Sequence, residues 1–97
     1  MEYEIFTTAL FDEWRDSLKD PTIKRRIAAR LSRLENGGFG DHKALGNALH
    51  ELRFFFGGGI RVYYTLRDGQ IILLLAGGDK SSQSRDIVKA RELLESE

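Results

Sequence analysis

The spacing of hydrophobic and polar positions changes several times along this chain, and each change marks an element. YEIF, from Tyr3 to Phe6, alternates and is rich in aromatic and β-branched residues, which predicts a first strand. Thr7 or Thr8 can cap a following helix, whose apolar residues Phe11, Trp14 and Leu18 recur at helical spacing. Asp20-Pro21 breaks that helix, because proline lacks a backbone donor and suits the first turn of a new helix. The second helix carries Ile23, Ile27, Leu31 and Leu34 on one stripe, with Lys24, Arg25, Arg26, Arg30 and Arg33 over its remaining surface. Asn36-Gly37-Gly38 stops it, and residues 37–48 read as a polar loop.

Turn chemistry sets the expected register of the second half. ELRFFF (residues 51–56) meets Gly57-Gly58-Gly59 and then the strand IRVYYTL (residues 60–66), so Phe56 is expected opposite Ile60 and Phe54 opposite Val62. Asp68-Gly69 is a two-residue hairpin signal, since both central positions favour positive φ; it places Arg67 opposite Gln70 and Val62 opposite Leu75. Alternation then assigns Leu52, Phe54, Phe56, Ile60, Val62, Tyr64, Leu66, Ile71, Leu73 and Leu75 to a core face under the helices. The other face receives Arg53, Phe55, Arg61, Tyr63, Thr65, Ile72, Leu74 and Ala76. A one-residue slip would exchange the faces. After Gly77-Gly78 the chain enters DKSSQ, where Ser81 or Ser82 can cap a last amphipathic helix marked by Ile87, Ala90 and Leu94. The expected order is β-α-α-β-β-β-α in one domain spanning residues 1–97.

Composition narrows the function classes. An apolar fraction of 41% with ten aromatic residues (one Trp, three Tyr, six Phe) is enough for a core in a chain of 97 residues. The absence of cysteine excludes disulfides and thiolate metal sites. The apolar run from Ile71 to Ala76 is too short to span a membrane, and MEYEIF lacks a signal-peptide pattern, so a soluble cytoplasmic protein is expected. Net charge is zero but unevenly spread: residues 1–20 hold six acids and two bases, whereas residues 21–34 hold five bases and no acid. Such asymmetry can leave a basic face on a neutral protein.

GGDKSS is not a nucleotide-binding loop, because Asp79 stands where glycine must precede the lysine, and Leu74 fills the position of the other required glycine. His42 and His50 are the only histidines and neither has an acid at ligand spacing, so no metal and no cofactor are expected. The remaining chemistry is cationic. Arg53 and Arg61 share a sheet face with Tyr63, and Lys80 lies just past the adjoining strand. Guanidinium forks and an ammonium suit phosphate oxygens, so this set can hold an RNA phosphate while a neighbouring 2′-hydroxyl attacks it. Phe55 and Tyr63 are candidates to stack bases, Gln83 to assist, and Arg26 and Arg30 to add phosphate contacts. A structural reading stands beside this one: Arg53 paired with Glu51 or an N-terminal acid, Arg61 packed on Phe55, Lys80 paired with Asp79 or Asp86, and Gln83 supporting the helix start.

HELRFFFGGGIRVYYTL followed by LLLAGGDKSSQSRDIVKA resembles the phage-derived addiction-module killer proteins of the RelE/HigB toxin superfamily. The shared motifs are Glu51-Leu52-Arg53, Gly59-Ile60-Arg61-Val62-Tyr63-Tyr64, and Gly77 through Ile87, with close similarity over residues 49–94. The resemblance implies an α+β, RelE-like fold: an N-terminal strand and helical hairpin packed on a small, mainly antiparallel sheet, with a C-terminal helix. It also implies the toxin of a type II toxin–antitoxin system, a metal-independent endoribonuclease cleaving mRNA on the ribosome. A helix-turn-helix antitoxin would be its partner. By this resemblance Arg61 would contact the scissile phosphate, Lys80 would be a basic catalytic residue, and Arg53, on the strand where many members place basic residues, would complete the catalytic set. The chain departs from the pattern in its neutral charge and in having no tyrosine or histidine after Lys80. Two alternatives stay open: a toxin that binds a protein target, as gyrase-inhibiting relatives do, and an inactive prophage remnant.

Overall fold

The computed structural model describes residues 2–96, so the ends of the expected 1–97 domain fall outside the described residues. The elements are β1 (Glu4–Thr7), α1 (Ala9–Ser17), α2 (Pro21–Glu35), β2 (His42–Gly46), β3 (Leu49–Arg53), β4 (Arg61–Arg67), β5 (Ile71–Gly78) and α3 (Gln83–Ser96), with a 3₁₀ turn at Lys80–Ser82 before α3. Thr8 is the cap of α1: its hydroxyl oxygen accepts from the Phe11 N–H at 3.1 Å and donates to the Leu75 carbonyl at 2.7 Å. One side chain thus closes the helix start and ties it to β5. Asp20 caps α2 through the Thr22 N–H at 2.8 Å, and Pro21 occupies the first turn where its missing donor costs nothing.

The five strands lie in the order β1-β5-β4-β3-β2, with β1 parallel to β5 and the other pairs antiparallel. The α1–α2 hairpin covers one face, where Phe11, Ile27 and Leu34 pack with Leu52, Phe54, Ile60, Val62, Tyr64, Ile72 and Leu74. Helix α3 covers part of the other face, where Ala90 packs with Leu49, Tyr63, Leu73, Leu75 and Ala76. This is the α+β arrangement that the resemblance implied.

Several expectations change. The helices do not all cover the expected core face, because α3 packs on the other one. Residues 37–48 are not wholly loop, because His42–Gly46 forms β2 against β3. The segment has no apolar alternation to announce it; it is an exposed edge strand held by backbone pairing, with an irregularity between Ala44 and Gly46. The β3–β4 connection is longer than the three glycines. Phe54 N–H donates to the Ile60 carbonyl at 3.0 Å, and Leu52, not Phe54, lies opposite Val62. This slip of two residues keeps every β3 and β4 side chain on its expected face.

The β4–β5 register slips by one, and β5 is inverted. Asp68 and Gly69 adopt the expected positive φ (53° and 70°), but Gln70 also belongs to the turn. Its N–H donates to Arg67 O at 3.2 Å, its carbonyl accepts from Glu4 N–H at 2.9 Å, and Arg67 pairs with Ile71. Ile72 and Leu74 therefore face the helical hairpin, whereas Leu73 and Leu75 face α3. An irregularity beside Tyr63 and Tyr64 then returns Ala76 to the α3 side, as expected. Leu66, expected in the core, is 38% exposed.

Candidate functional site

The candidate site lies where the β3–β4 loop, the end of β5 and the start of α3 meet. Gly57, Gly58 and Gly59 all have positive φ (60°, 75° and 80°), a conformation open to glycine at little steric cost. The loop they form is anchored: Gly59 and Ile60 N–H groups donate to Phe56 O at 3.1 and 3.2 Å, and Lys80 N–H donates to Gly58 O at 3.2 Å. The start of α3 is brought close by small residues. A β-carbon on Gly78 would collide with the Asp86 carboxylate and the Ser82 hydroxyl, and one on Gly77 would enter the Trp14 ring. Asp79, not Ser81 or Ser82, caps the 3₁₀ turn by accepting from the Ser81 N–H at 2.8 Å; hydrogen bonds from Ser81 hold its carboxyl below the usual range.

Arg61 and Lys80 come together across Gly59. A β-carbon built there would stand 3.4 Å from both Arg61 Nη1 and Lys80 Cβ. Arg61 Nη1 donates to the carbonyls of Gly59 at 3.0 Å and Ile60 at 3.3 Å. Its Nε lies 3.0 Å from Glu51 Oε1, an ion-pair contact in which the N–H is not aligned as a hydrogen bond. Both side chains are largely buried, 15% exposed for Arg61 and 3% for Glu51. Gln83 Nε2 donates to the other Glu51 oxygen at 3.4 Å. Lys80 is exposed, and the described residues give its side chain no ion pair.

The other sequence-selected residues divide between this cluster and elsewhere. Arg53 pairs with Arg61 in the ladder, but its Nη2 donates to Asp41 Oδ1 at 2.9 Å, which raises its pKa and keeps it charged. Tyr63 is fully buried under α3 with its hydroxyl unpartnered among the described residues. Burial, then the charges of Glu51 and Asp86, push that phenol well above its ordinary range, so it stays protonated. Its ring has no open face for a base. Phe55 is 89% exposed on the glycine-loop side of β3.

Arg26 and Arg30 lie on the hairpin side, away from Arg61. Arg26 stands over Phe56 at 5.2 Å and Arg30 over Phe54 at 4.7 Å. The Arg30 guanidinium also donates to the carbonyls of Phe39, Asp41 and Arg53, so it staples the segment before β2 and the end of β3 to α2. Burial, then the charge of Arg33, lowers its pKa. Among the described residues, no cluster of His, Asp or Glu could hold a metal ion.

Two carboxylates had no place in the sequence-based site. Alternation puts Glu51 on the same face as Arg53 and Arg61, which was the available signal for its pairing with Arg61. Asp41 had none, because it belongs to a segment read as loop.

Comparison with known proteins places this geometry in context. Residues 13–95 match the model of the phage-derived protein Gp49-like family. An uncharacterized protein of Haemophilus influenzae is 44% identical over 93 residues, covering 96% of this chain and 94% of that protein. The structure of an Escherichia coli toxin RelE variant in the free state superposes with a TM-score of 0.76, covering 95% of this chain and 97% of that one. At 15% identity that likeness establishes the fold. A RelE-like fold, with a family match that runs through both the helical hairpin and the Arg61–Lys80 cluster, identifies this chain as a member of the phage-derived Gp49-like family.

Proposed function

We propose that this protein is the toxin of a toxin–antitoxin pair and acts as a metal-independent endoribonuclease on mRNA. The observation that carries this reading is that the Arg61 guanidinium and the base of the Lys80 side chain flank Gly59, Arg61 held in place and Lys80 exposed with no ion pair among the described residues. In the reaction, an RNA 2′-oxygen forms a bond to the adjacent phosphorus and the bond from phosphorus to the 5′-oxygen breaks. A 2′,3′-cyclic phosphate and a 5′-hydroxyl result. One proton leaves the 2′-hydroxyl and one reaches the leaving oxygen. Negative charge on the phosphoryl oxygens grows between these events, and fixed cations stabilise it most when they need not reorganise. Arg61, tied to two carbonyls and beside Glu51, meets that requirement; Lys80 supplies a compact charge at the rim. Tyr63, neutral and buried, takes no proton from the substrate. A partner antitoxin, the ribosome as the place of cleavage, and a cytoplasmic location belong to this reading, by likeness to the toxins of this fold.

A second reading rests on one observation: Arg53 and Arg61 each already have a carboxylate. A toxin that acts by binding a protein target would need those arginines only for structure. One experiment separates the two. The purified protein is incubated with a defined mRNA in chelator, with and without translating ribosomes, beside Lys80→Ala. Cuts by the wild-type protein, reduced at least 100-fold in the variant, are expected. Intact RNA from a protein that still arrests growth would replace the nuclease with the binding toxin. Intact RNA without growth arrest would leave an inactive prophage remnant.

A further inference from the structure

Helix α2 carries five bases, Lys24, Arg25, Arg26, Arg30 and Arg33, and no acid before Glu35. None of the ion pairs among the described residues involves it. In a chain of zero net charge, the fold thus leaves one helix strongly positive and uncompensated. Arg26, Arg30 and Arg33 recur at helical spacing on one face, where like charges three and four residues apart repel. Burial, then the charge of Arg33, lowers the Arg30 pKa, so that repulsion is felt. Asp41, whose charge opposes it, is already paired with Arg53.

Between these arginines lies a gap. Arg26, Ala29, Arg30, Arg33, Phe54 and Phe56 line a cleft of about 300 Å³, with Ala29 exposed and Phe56 half-buried. Guanidinium groups already lie over both rings, Arg26 over Phe56 and Arg30 over Phe54, so the cleft offers a nucleotide base no stacking platform. Arg30 commits its donors to three carbonyls. Arg26 and Arg33 are exposed and make no side-chain hydrogen bond among the described residues. They stand about 10 Å apart along the helix axis, at 1.5 Å per residue. Two guanidinium forks flanking an apolar gap suit carboxylates at the same spacing with an aliphatic side chain between them. A phosphate backbone would meet the cations but bring nothing apolar to the gap.

We propose that this cleft docks an acidic helix of a partner protein, whose carboxylates pair with Arg26 and Arg33 while an aliphatic side chain between them enters the gap over Ala29. The surface lies on the hairpin side, away from Arg61, and does not depend on the nuclease reading. The test follows the fluorescence anisotropy of a labelled synthetic helix in which glutamates seven positions apart flank a leucine. Three further probes are the same helix with glutamines for the glutamates, with lysines for the glutamates, and with alanine for the leucine. A single-stranded RNA octamer of mixed sequence, 2′-O-methylated throughout, is the fourth. Wild type, the double variant Arg26→Glu/Arg33→Glu and Ala29→Leu are compared, with circular dichroism checking that each is folded. The acidic helix is expected to bind wild type about 10-fold more tightly than the glutamine helix, the scale of two exposed ion pairs. The double variant should lose the acidic helix and accept the lysine helix instead. Ala29→Leu, by filling the gap, should weaken the leucine-bearing helix but not the alanine one. Equal binding of the acidic and glutamine helices, or no saturable binding of the acidic one, would overturn the proposal. Unchanged binding to Ala29→Leu would overturn the placement in the cleft. An octamer that binds more tightly than the acidic helix, and is lost in the double variant, would make α2 a nucleic-acid surface and replace the proposal.

Discussion

At the scale of single residues, the deciding pair is Arg61 with Glu51. A buried ion pair gains little over an apolar isostere, but removing one partner strands a charge without solvent. Among the described residues, Arg61→Ala leaves the Glu51 carboxylate with only Gln83 as a hydrogen-bond donor, at 3.4 Å. The expected loss is about 3 kcal/mol, equivalent to a Tm drop on the order of 15 °C for a domain of this size. Lys80→Ala, at an exposed position, should leave Tm nearly unchanged. Thermal melts of the two variants check this. A small drop for Arg61→Ala would mean that Glu51 finds solvent or a proton when its partner is lost. The contrast makes Lys80 the clean probe of chemistry, whereas loss of activity in Arg61→Ala mixes chemistry with stability. The sequence showed both cations, Arg61 on the face opposite the expected core and Lys80 just past the adjoining strand. It gave no sign that one was paired and the other, among the described residues, without an ion pair, because that depends on which carboxylate the sheet brings within 3.0 Å.

At the scale of elements, the end of β5 is set by what packs on it. Gly77 lies under Trp14 of α1, and Gly78 under Asp86 of α3, so helices reach the strand from both sides. Gly77→Ala would place a methyl group inside the indole and force α1 to move. The expected cost is about 1–3 kcal/mol, read as a lower midpoint in urea denaturation with an unchanged m value. An unchanged midpoint would show that Trp14 has room to rotate away. Elements built on strong local signals were legible: the Thr8 and Asp20 caps, the Pro21 start, the Asn36-Gly37-Gly38 stop and the positive-φ Asp68-Gly69 turn. Strand β2 was not, because pairing with β3 rather than its own pattern makes it a strand. The inversion of β5 has a similar origin. Ile71 to Ala76 are all apolar, so the segment fits either face and only the third turn residue, Gln70, selects one.

At the scale of the whole molecule, stability depends on pH through groups that folding has brought together. Burial, then the charge of His42, lowers the pKa of His50, whose ring stacks on Tyr64 with centroids 5.2 Å apart. The unfolded chain therefore binds the proton first as pH falls through about 6.5, and the folded state follows only at lower pH. This contribution to stability is present above that range and is lost as pH drops through it. His50→Gln should flatten the fall of unfolding free energy as pH drops below about 6.5 in urea titrations. A slope identical to wild type would assign the pH dependence to other groups. Asp79 acts in a separate, more acidic window: its folded pKa is lowered, so its contribution is lost only as pH falls below the ordinary carboxylate range.

By itself the sequence determined the periods, caps and turns, the sorting of β3 and β4 side chains between two faces, and the presence of cations after the last strand. Those properties follow from local steric and solvation preferences, which act within a few residues. Tertiary structure alone decided that β2 exists, that β5 presents Leu73 and Leu75 to α3, that Tyr63 is enclosed and Phe55 left out, and that Glu51 and Asp41 hold the two sheet arginines. Each of these depends on register, and register is a competition among whole-strand pairings that no short stretch of chain can settle.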